Sequence, residues 1–245
     1  MNERLICLFC LVIGYFFGCF QTAYVVSRVK HVDIRKKGSG NLGTTNVFRT
    51  LGIRAGILTF VGDIMKVFVA MALVYFVFIF WRCYDIDRIA LFMYTGIGVV
   101  FGHDFPFYLN FKGGKGVAAT AAVLISAWDW RTIVAGVVIF FGIALATQYI
   151  SVASLCLIGS EFVIFSVFIL TGLMPVDIRW RPDVIILIAL MTILVFWQHR
   201  KNIVRLKCGK ENKFVFKSSK ELREEAEMDS AEKAVQDAEK AASDK

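Results

Sequence analysis

Long apolar runs alternate with short polar ones along this chain. Leu5–Val26 stays apolar for about 22 residues, the helix length that crosses roughly 30 Å of hydrocarbon. Further apolar segments follow at Ile57–Phe80, Ile89–Leu109, Val117–Trp128, Ile133–Thr147, Val152–Leu173 and Val184–Trp197. The pattern predicts an all-α, polytopic membrane helix bundle of about seven transmembrane helices. The fourth and fifth segments are short and read equally as one bent or re-entrant pair, which would leave about five or six. Leu5–Val26 has no A-x-A-type cleavage site and is long for a signal peptide, so it reads as a first span.

Composition agrees with a lipid-facing surface. The 245 residues are 57% hydrophobic with a mean hydropathy of +0.63, above the roughly 45–50% of a soluble domain. The net charge of +8 implies no nucleic-acid partner, because the basic residues sit in short runs beside apolar segments and meet anionic headgroups. Arg28, Lys30, Arg35, Lys36, Lys37, Arg49 and Arg54 follow the first span; Arg200, Lys201, Arg205, Lys207, Lys210, Lys213 and Lys217 follow the last. An odd number of spans puts both stretches on one side. The positive-inside rule makes that side cytoplasmic, with the N-terminus external. Trp81, Trp128, Trp130 and Trp180 then fall at the outer ends of helices, as an interfacial aromatic belt. Residues 1–216 form the membrane domain. Residues 217–245, rich in Lys, Glu and Ala, read as a charged cytoplasmic tail, partly helical or disordered. Cys7 and Cys10 lie inside an apolar helix and read as packing residues, not as a metal or redox pair.

Candidate chemistry is confined to polar clusters between spans. Gly38–Gly52, GSGNLGTTNVFRTLG, combines glycines, hydroxyls, amides and Arg49. Such a loop can wrap N–H groups and a cation around an anion, although alone it reads equally as a flexible connector. Lys112-Gly113-Gly114-Lys115-Gly116 precedes an apolar helix, and its glycines, helix start and lysines favour phosphate. The spacing is not that of a Walker motif. His103 is followed by Asp104 without the His-x-x-x-x-Asp arrangement of thioester-dependent acyl transfer, and either serves the site or simply ends the third helix. Asp63 and Lys66, at i and i+3 in an apolar helix, form either an internal ion pair or part of a polar site. Thr147–Ser154 joins the fifth and sixth spans on the inner side, where its serines alone say little. His199, Asn202 and Arg205 share one face of a short basic helix that reaches towards Glu211. All these clusters fall on the same side of the membrane.

These residues resemble a known family. SGNLGTTNVFRTLG (Ser39–Gly52), GHDFPFYLNFKGGKGVA (Gly102–Ala118) and HRKNIVRL with Glu211 (His199–Glu211) are similar to the motifs of the bacterial acyl-phosphate:glycerol-3-phosphate acyltransferases, in the same order, and the match covers most of residues 5–215. The resemblance implies a seven-helix bundle in the bacterial cell inner membrane with its active site opening at the cytoplasmic face. It implies acyl phosphate and glycerol 3-phosphate as substrates, lysophosphatidic acid and phosphate as products, membrane lipid as surroundings, no cofactor or metal, and a monomer. Ser39, Arg49, His199 and Asn202 would be catalytic. Asn41, Thr45, Asn46, Lys112, Gly113, Gly114, Lys115, Gly116 and Ser151 would bind substrate, and Glu211 would be structural. Ser154 matches a serine of the inner-loop pattern, and Asp63 with Lys66 a second-helix pair. The chain departs from the family pattern at Thr44, Val67 and Gln148, where alanine, glycine and arginine are usual. Loss of a cation at Gln148 is expected to weaken phosphate binding unless Arg49, Lys112 or Lys115 compensates. An anion transporter is the alternative, but no internal repeat is visible and the motifs sit at one face, not at the midplane. A scaffold without catalysis leaves the lysine-glycine and His199 clusters without purpose.

Overall fold

Every regular element in the computed structural model is helical among the residues it describes, 3–80 and 86–214. The expected tail, residues 217–245, lies outside those residues, as do Trp81 and Cys83. The helices are α1 (Glu3–Cys19), α2 (Thr22–Val29), α3 (Thr44–Leu51), α4 (Ile53–Val74), α5 (Arg88–Asp104), α6 (Val117–Ile125), α7 (Trp130–Thr147), α8 (Ile150–Leu170), α9 (Arg181–Gln198) and α10 (Arg200–Lys207). The aspartates that precede α5 and α7 start them: Asp87 accepts from Ile89 N and Ala90 N, and Asp129 from Arg131 N. Pro182 sits in the first turn of α9, where its missing N–H is harmless.

Among the described residues, six helical stretches are long and apolar enough to cross a membrane: Glu3–Val29, Ile53–Phe78, Arg88–Leu109, Trp130–Thr147, Ile150–Leu170 and Arg181–Gln198. The difference from seven lies at α6, which has 9 residues and rises only about 14 Å. The loop before it sinks into the bundle: Gly113 N donates to Asp104 O and Gly114 N to His103 O, both at 3.0 Å. The chain therefore enters α6 below the end of α5.

The first span is also not one continuous helix. It breaks at Phe20–Gln21 between α1 and α2, although no proline or glycine stands there. A break inside a membrane leaves carbonyls that need donors, at about 1–3 kcal/mol for each left buried and unpaired. Lys66 Nζ of α4 donates to Phe20 O (3.0 Å) and Gly18 O (3.4 Å), and Gln21 Nε2 to Gly18 O and His103 O. Lys66 is itself neutralised by Asp63 at 2.9 Å and donates to His103 Nδ1 at 2.7 Å. Asp63 and Lys66 are thus an internal ion pair, and the pair also mends a broken helix.

At the centre, α5 has 78% of its apolar window buried, whereas α7 has 11% and faces outward. α1 and α5 meet backbone to backbone through Gly14, Gly18, Gly98 and Gly102. A Cβ on Gly98 would stand 2.1 Å from Leu11 O, and one on Gly102 2.1 Å from Tyr15 O. Small residues allow such close approach, which in lipid replaces the hydrophobic effect as the driving force. Cys7 and Cys10 are buried free thiols within this packed region, as the packing reading expects.

The two ends of the bundle differ. At one end Asp183 of α9 pairs with Arg4 of α1 and accepts from Tyr94 of α5 at 2.5 Å. There Asp87 Oδ2 accepts from Asp177 N, and Arg131 donates to Leu173 O. Trp128 and Trp130 are exposed at this end, as an interfacial belt requires, but Trp180 is not. It is 3% exposed, packed in the core with the Arg4 guanidinium 4.8 Å above its ring. A cation partner and the core hold it inward. The polar loops gather at the opposite end.

Candidate active site

The loop from Lys30 to Gly43 is built around one amide. Asn46, in the first turn of α3 and 2% exposed, accepts from Ser39 N at 2.9 Å and donates to Lys37 O and Asn41 O at 3.1 Å and to Ile34 O at 3.4 Å. Its polar atoms are spent on shaping the loop. That fold turns Ser39, Asn41, Thr45 and Arg49 towards a common cavity. Burial holds the Arg49 guanidinium below its ordinary pKa, with Glu211 opposing and Arg205 reinforcing the shift.

The lysine-glycine stretch is arranged differently from its expected role. The amide hydrogens of Gly113 and Gly114 are used on the α5 carbonyls, and Lys112 is exposed. Gly114 lies so close to His103 that a Cβ would meet Nε2 at 1.9 Å, which explains why glycine stands there. Gly116 caps α6. Of this stretch, Lys115 alone lines the cavity among the described residues. The loop is a device for delivering one ammonium group.

Lys115 Nζ donates to Asn202 Oδ1. The other side of the Asn202 amide donates to Glu211 Oε1 at 2.6 Å, and Glu211 Oε2 accepts from Arg205 at 2.7 Å. This chain of charge-assisted bonds runs across the cavity from α6 to α10. Burial, with repulsion from Arg205 and Arg49, pulls the Lys115 ammonium down to about 8 against the pull of Glu211. Burial alone would raise Glu211, but Arg205 and Asn202 hold it below the usual carboxylate range. His199 is 3% exposed; its Nδ1–H donates to Val195 O at 2.8 Å, so Nε2 is its acceptor. Burial and the neighbouring Lys115 lower His199 to about 4, leaving it neutral at pH 7.

Ser151 begins α8 at the same place. Its hydroxyl is buried beside the Glu211 carboxyl and helps to hold that carboxyl's pKa down. After α10 the chain reverses through Lys210 N on Arg205 O and runs as a strap along the cavity mouth. Phe214 N donates to Gln148 O at 2.8 Å, and the Phe214 ring meets Phe48 edge-on at 6.1 Å. Gln148, where a cation was expected, ends α7 in a left-handed turn (φ 62°) and spends its carbonyl on this strap. The cavity's cations are Arg49, Lys115 and Arg205.

The cavity measures about 460 Å³ and has two parts. The mouth holds Ser39, Asn41, Thr45, Arg49, Lys115, Ser151, His199, Asn202, Arg205 and Glu211. From it an apolar arm runs between α6, α7 and α8, walled by Val117, Ala121, Leu124, Ile133, Phe140, Leu157 and Ile158. Asp63 and His103 line the cavity as well, the site alternative that the sequence left open for both. Arg205, Glu211 and the Phe214 strap were weakly signalled, since their contacts depend on a chain reversal with no periodic pattern.

A polar basin with three cations at one end of a membrane bundle, opening into an apolar arm, is a site suited to joining an anionic head to an apolar chain. The chain belongs to the glycerol-3-phosphate acyltransferase family, whose model matches residues 8–209. It is 38% identical over 202 residues to glycerol-3-phosphate acyltransferase 1 of Lactobacillus johnsonii, covering 82% of this chain and 88% of the relative. Among solved structures it resembles PlsY, an integral membrane glycerol 3-phosphate acyltransferase. The glycerol 3-phosphate form aligns with a TM-score of 0.71 at 31% identity, covering 85% of this chain and 96% of the other. The lysophosphatidic acid form aligns with a TM-score of 0.69 at 30% identity, covering 86% and 96%.

Proposed function

We propose that this glycerol-3-phosphate acyltransferase takes its acyl group from an acyl phosphate, at the cytoplasmic face of a bacterial inner membrane. The observation that carries the proposal is the Lys115–Asn202–Glu211 chain, which links the cation basin at the mouth of the cavity that the apolar arm continues. Arg49, Lys115 and Arg205 are three cations in a recess where two phosphate groups, one from each substrate, need neutralising. The arm takes the acyl chain of the donor. A mixed anhydride is already activated, so holding the reactants together and stabilising charge supply most of the catalysis.

In this reading Ser39, Asn41 and Thr45 donate to phosphate oxygens at the mouth, while Asn46, Gly113, Gly114 and Gly116 keep the two loops in shape. Lys112, on the outside, only attracts anions. The 1-hydroxyl of glycerol 3-phosphate attacks the acyl carbonyl carbon. The new C–O bond forms as the carbonyl–phosphate C–O bond breaks, and inorganic phosphate leaves. His199 Nε2, unprotonated at pH 7, accepts the hydroxyl proton. Arg49 and Ser151 position glycerol 3-phosphate, and Asn202 orients Lys115 towards the leaving phosphate.

The test is direct. Purified protein given hexadecanoyl phosphate and glycerol 3-phosphate should release lysophosphatidate and inorganic phosphate in equal amounts. Activity with acyl-CoA or acyl carrier protein alone would refute the donor assignment. Arg49→Ala should raise the KM for glycerol 3-phosphate by roughly tenfold or more, the effect of one lost charge-assisted contact.

A further inference from the structure

Glu161 stands in the middle of α8, a membrane helix with no other charged side chain. It is 4% exposed, and no described residue hydrogen-bonds either carboxyl oxygen. A buried carboxyl without a partner is expensive, and a position needed only for packing would be filled by an apolar side chain. Glu161 lies on the same stripe as Ser151, Ser154, Leu157 and Ile158, at helical period, all facing the cavity. It marks the deep part of the apolar arm. Across from it is Gly136 of α7, where a Cβ would come 2.8 Å from Glu161 Oε1. The missing side chain at Gly136 leaves room for the carboxyl at the wall of the arm, which Glu161 lines.

Glu161 lies roughly ten positions and about 15 Å beyond Ser151 along α8. An extended alkyl chain advances about 1.25 Å per carbon from ordinary bond geometry, so a bound chain would reach Glu161 about a dozen carbons from its carbonyl. We propose that Glu161 determines which acyl chains the enzyme uses. It favours chains that stop short of it, or that bring a hydroxyl to its depth, over unsubstituted chains that lay methylenes across it. The inference rests on the reading of the arm as the acyl-chain site. Methylenes at this depth deny the carboxyl both water and a partner, whereas a hydroxyl both donates and accepts and can pair with it.

The experiment compares decanoyl phosphate, octadecanoyl phosphate, and octadecanoyl phosphate hydroxylated about a dozen carbons from the carbonyl, using the full-length protein in detergent. The wild type should show kcat/KM for the decanoyl and hydroxylated donors roughly tenfold or more above that for plain octadecanoyl. Glu161→Leu should collapse both ratios, and Glu161→Gln, which still hydrogen-bonds, should retain much of the hydroxyl preference. Equal use of hydroxylated and plain octadecanoyl donors by the wild type overturns the inference, with no variant needed. So do ratios in Glu161→Leu that match the wild type. Absence of lysophosphatidate with every acyl phosphate refutes the donor assignment itself, a different and recognisable failure.

Discussion

Where α1 crosses α5, glycine backbones touch. Where α7 lies beside α6 and α8, side chains stand apart around a cavity. The first contact leaves so little room that Cβ atoms at Gly14, Gly18, Gly98 and Gly102 would come within 2.0–2.1 Å of backbone oxygens. On the outward face of α7, away from the cavity, Gly142 has nothing within 4 Å of its would-be Cβ. One half of the bundle is closed backbone to backbone, and the other is parted by the cavity. The loops that carry cations are attached to the closed half: Gly113 and Gly114 bond to the end of α5, and Gln21 and Lys66 tie α2 and α4 to the same place. Positioning is thus done by the closed half, and accommodation by the open one.

This contrast can be broken in several ways. The largest effect belongs to Gly98→Leu, which has to drive α1 from α5. A loss of more than about 4 kcal/mol is expected, the range of severe overpacking, seen as little folded protein by size-exclusion chromatography in detergent. Next comes Asn202→Ala, which removes the amide between Lys115 and Glu211. Turnover should fall by roughly a hundredfold or more, the scale of a lost electrostatic stabiliser, while Tm stays within a few degrees. A fall in Tm as large as that of Gly98→Leu would show that the amide serves the fold and not the site.

A smaller effect concerns pH. Lys115 is depressed to about 8 from 10.5, so activity should decline as pH rises through 8 and the cation is lost. Between pH 8 and 10.5 the unfolded chain binds the extra proton, so over that window Lys115 makes the folded state more stable as pH rises. Activity and stability should therefore diverge on the alkaline side, measured by rate and by Tm in the same buffers. Lys115→Arg should remove the alkaline decline. The smallest effect is that of Gly142→Leu on the outward face of α7, where Tm and rate should change by no more than about 0.5 kcal/mol equivalent.

Much of this was legible from apolar spacing and the three polar motifs. Runs of about 20 apolar residues can hardly be anything but membrane helices, and Arg49, Lys115, His199 and Asn202 indeed converge on one cavity. What escaped was decided by tertiary contact. The break at Phe20–Gln21 carries no proline, and depends on Lys66 arriving from α4 to satisfy the freed carbonyls. The glycines of Lys112–Gly116 promised free N–H donors, but α5 had carbonyls to offer them. Trp180 looked interfacial until Arg4 and the core turned it inward. Glu161 was hidden in plain view within an apolar run, because a single carboxyl reveals its meaning only when its neighbours fail to pair with it.

The shortness of α6 has one more consequence. A helix of 9 residues beginning inside the bundle puts Lys115 below the level of the exposed basic residues such as Lys36, Lys37 and Lys201. Mobile ions screen charges at an open surface over about 8 Å at physiological ionic strength, but they enter a narrow recess poorly. Added salt should therefore slow the capture of substrate by the outer lysines while scarcely touching its grip once inside. The enzyme would lose on-rate and keep its hold, a separation of approach from binding that a flat basic surface could not provide.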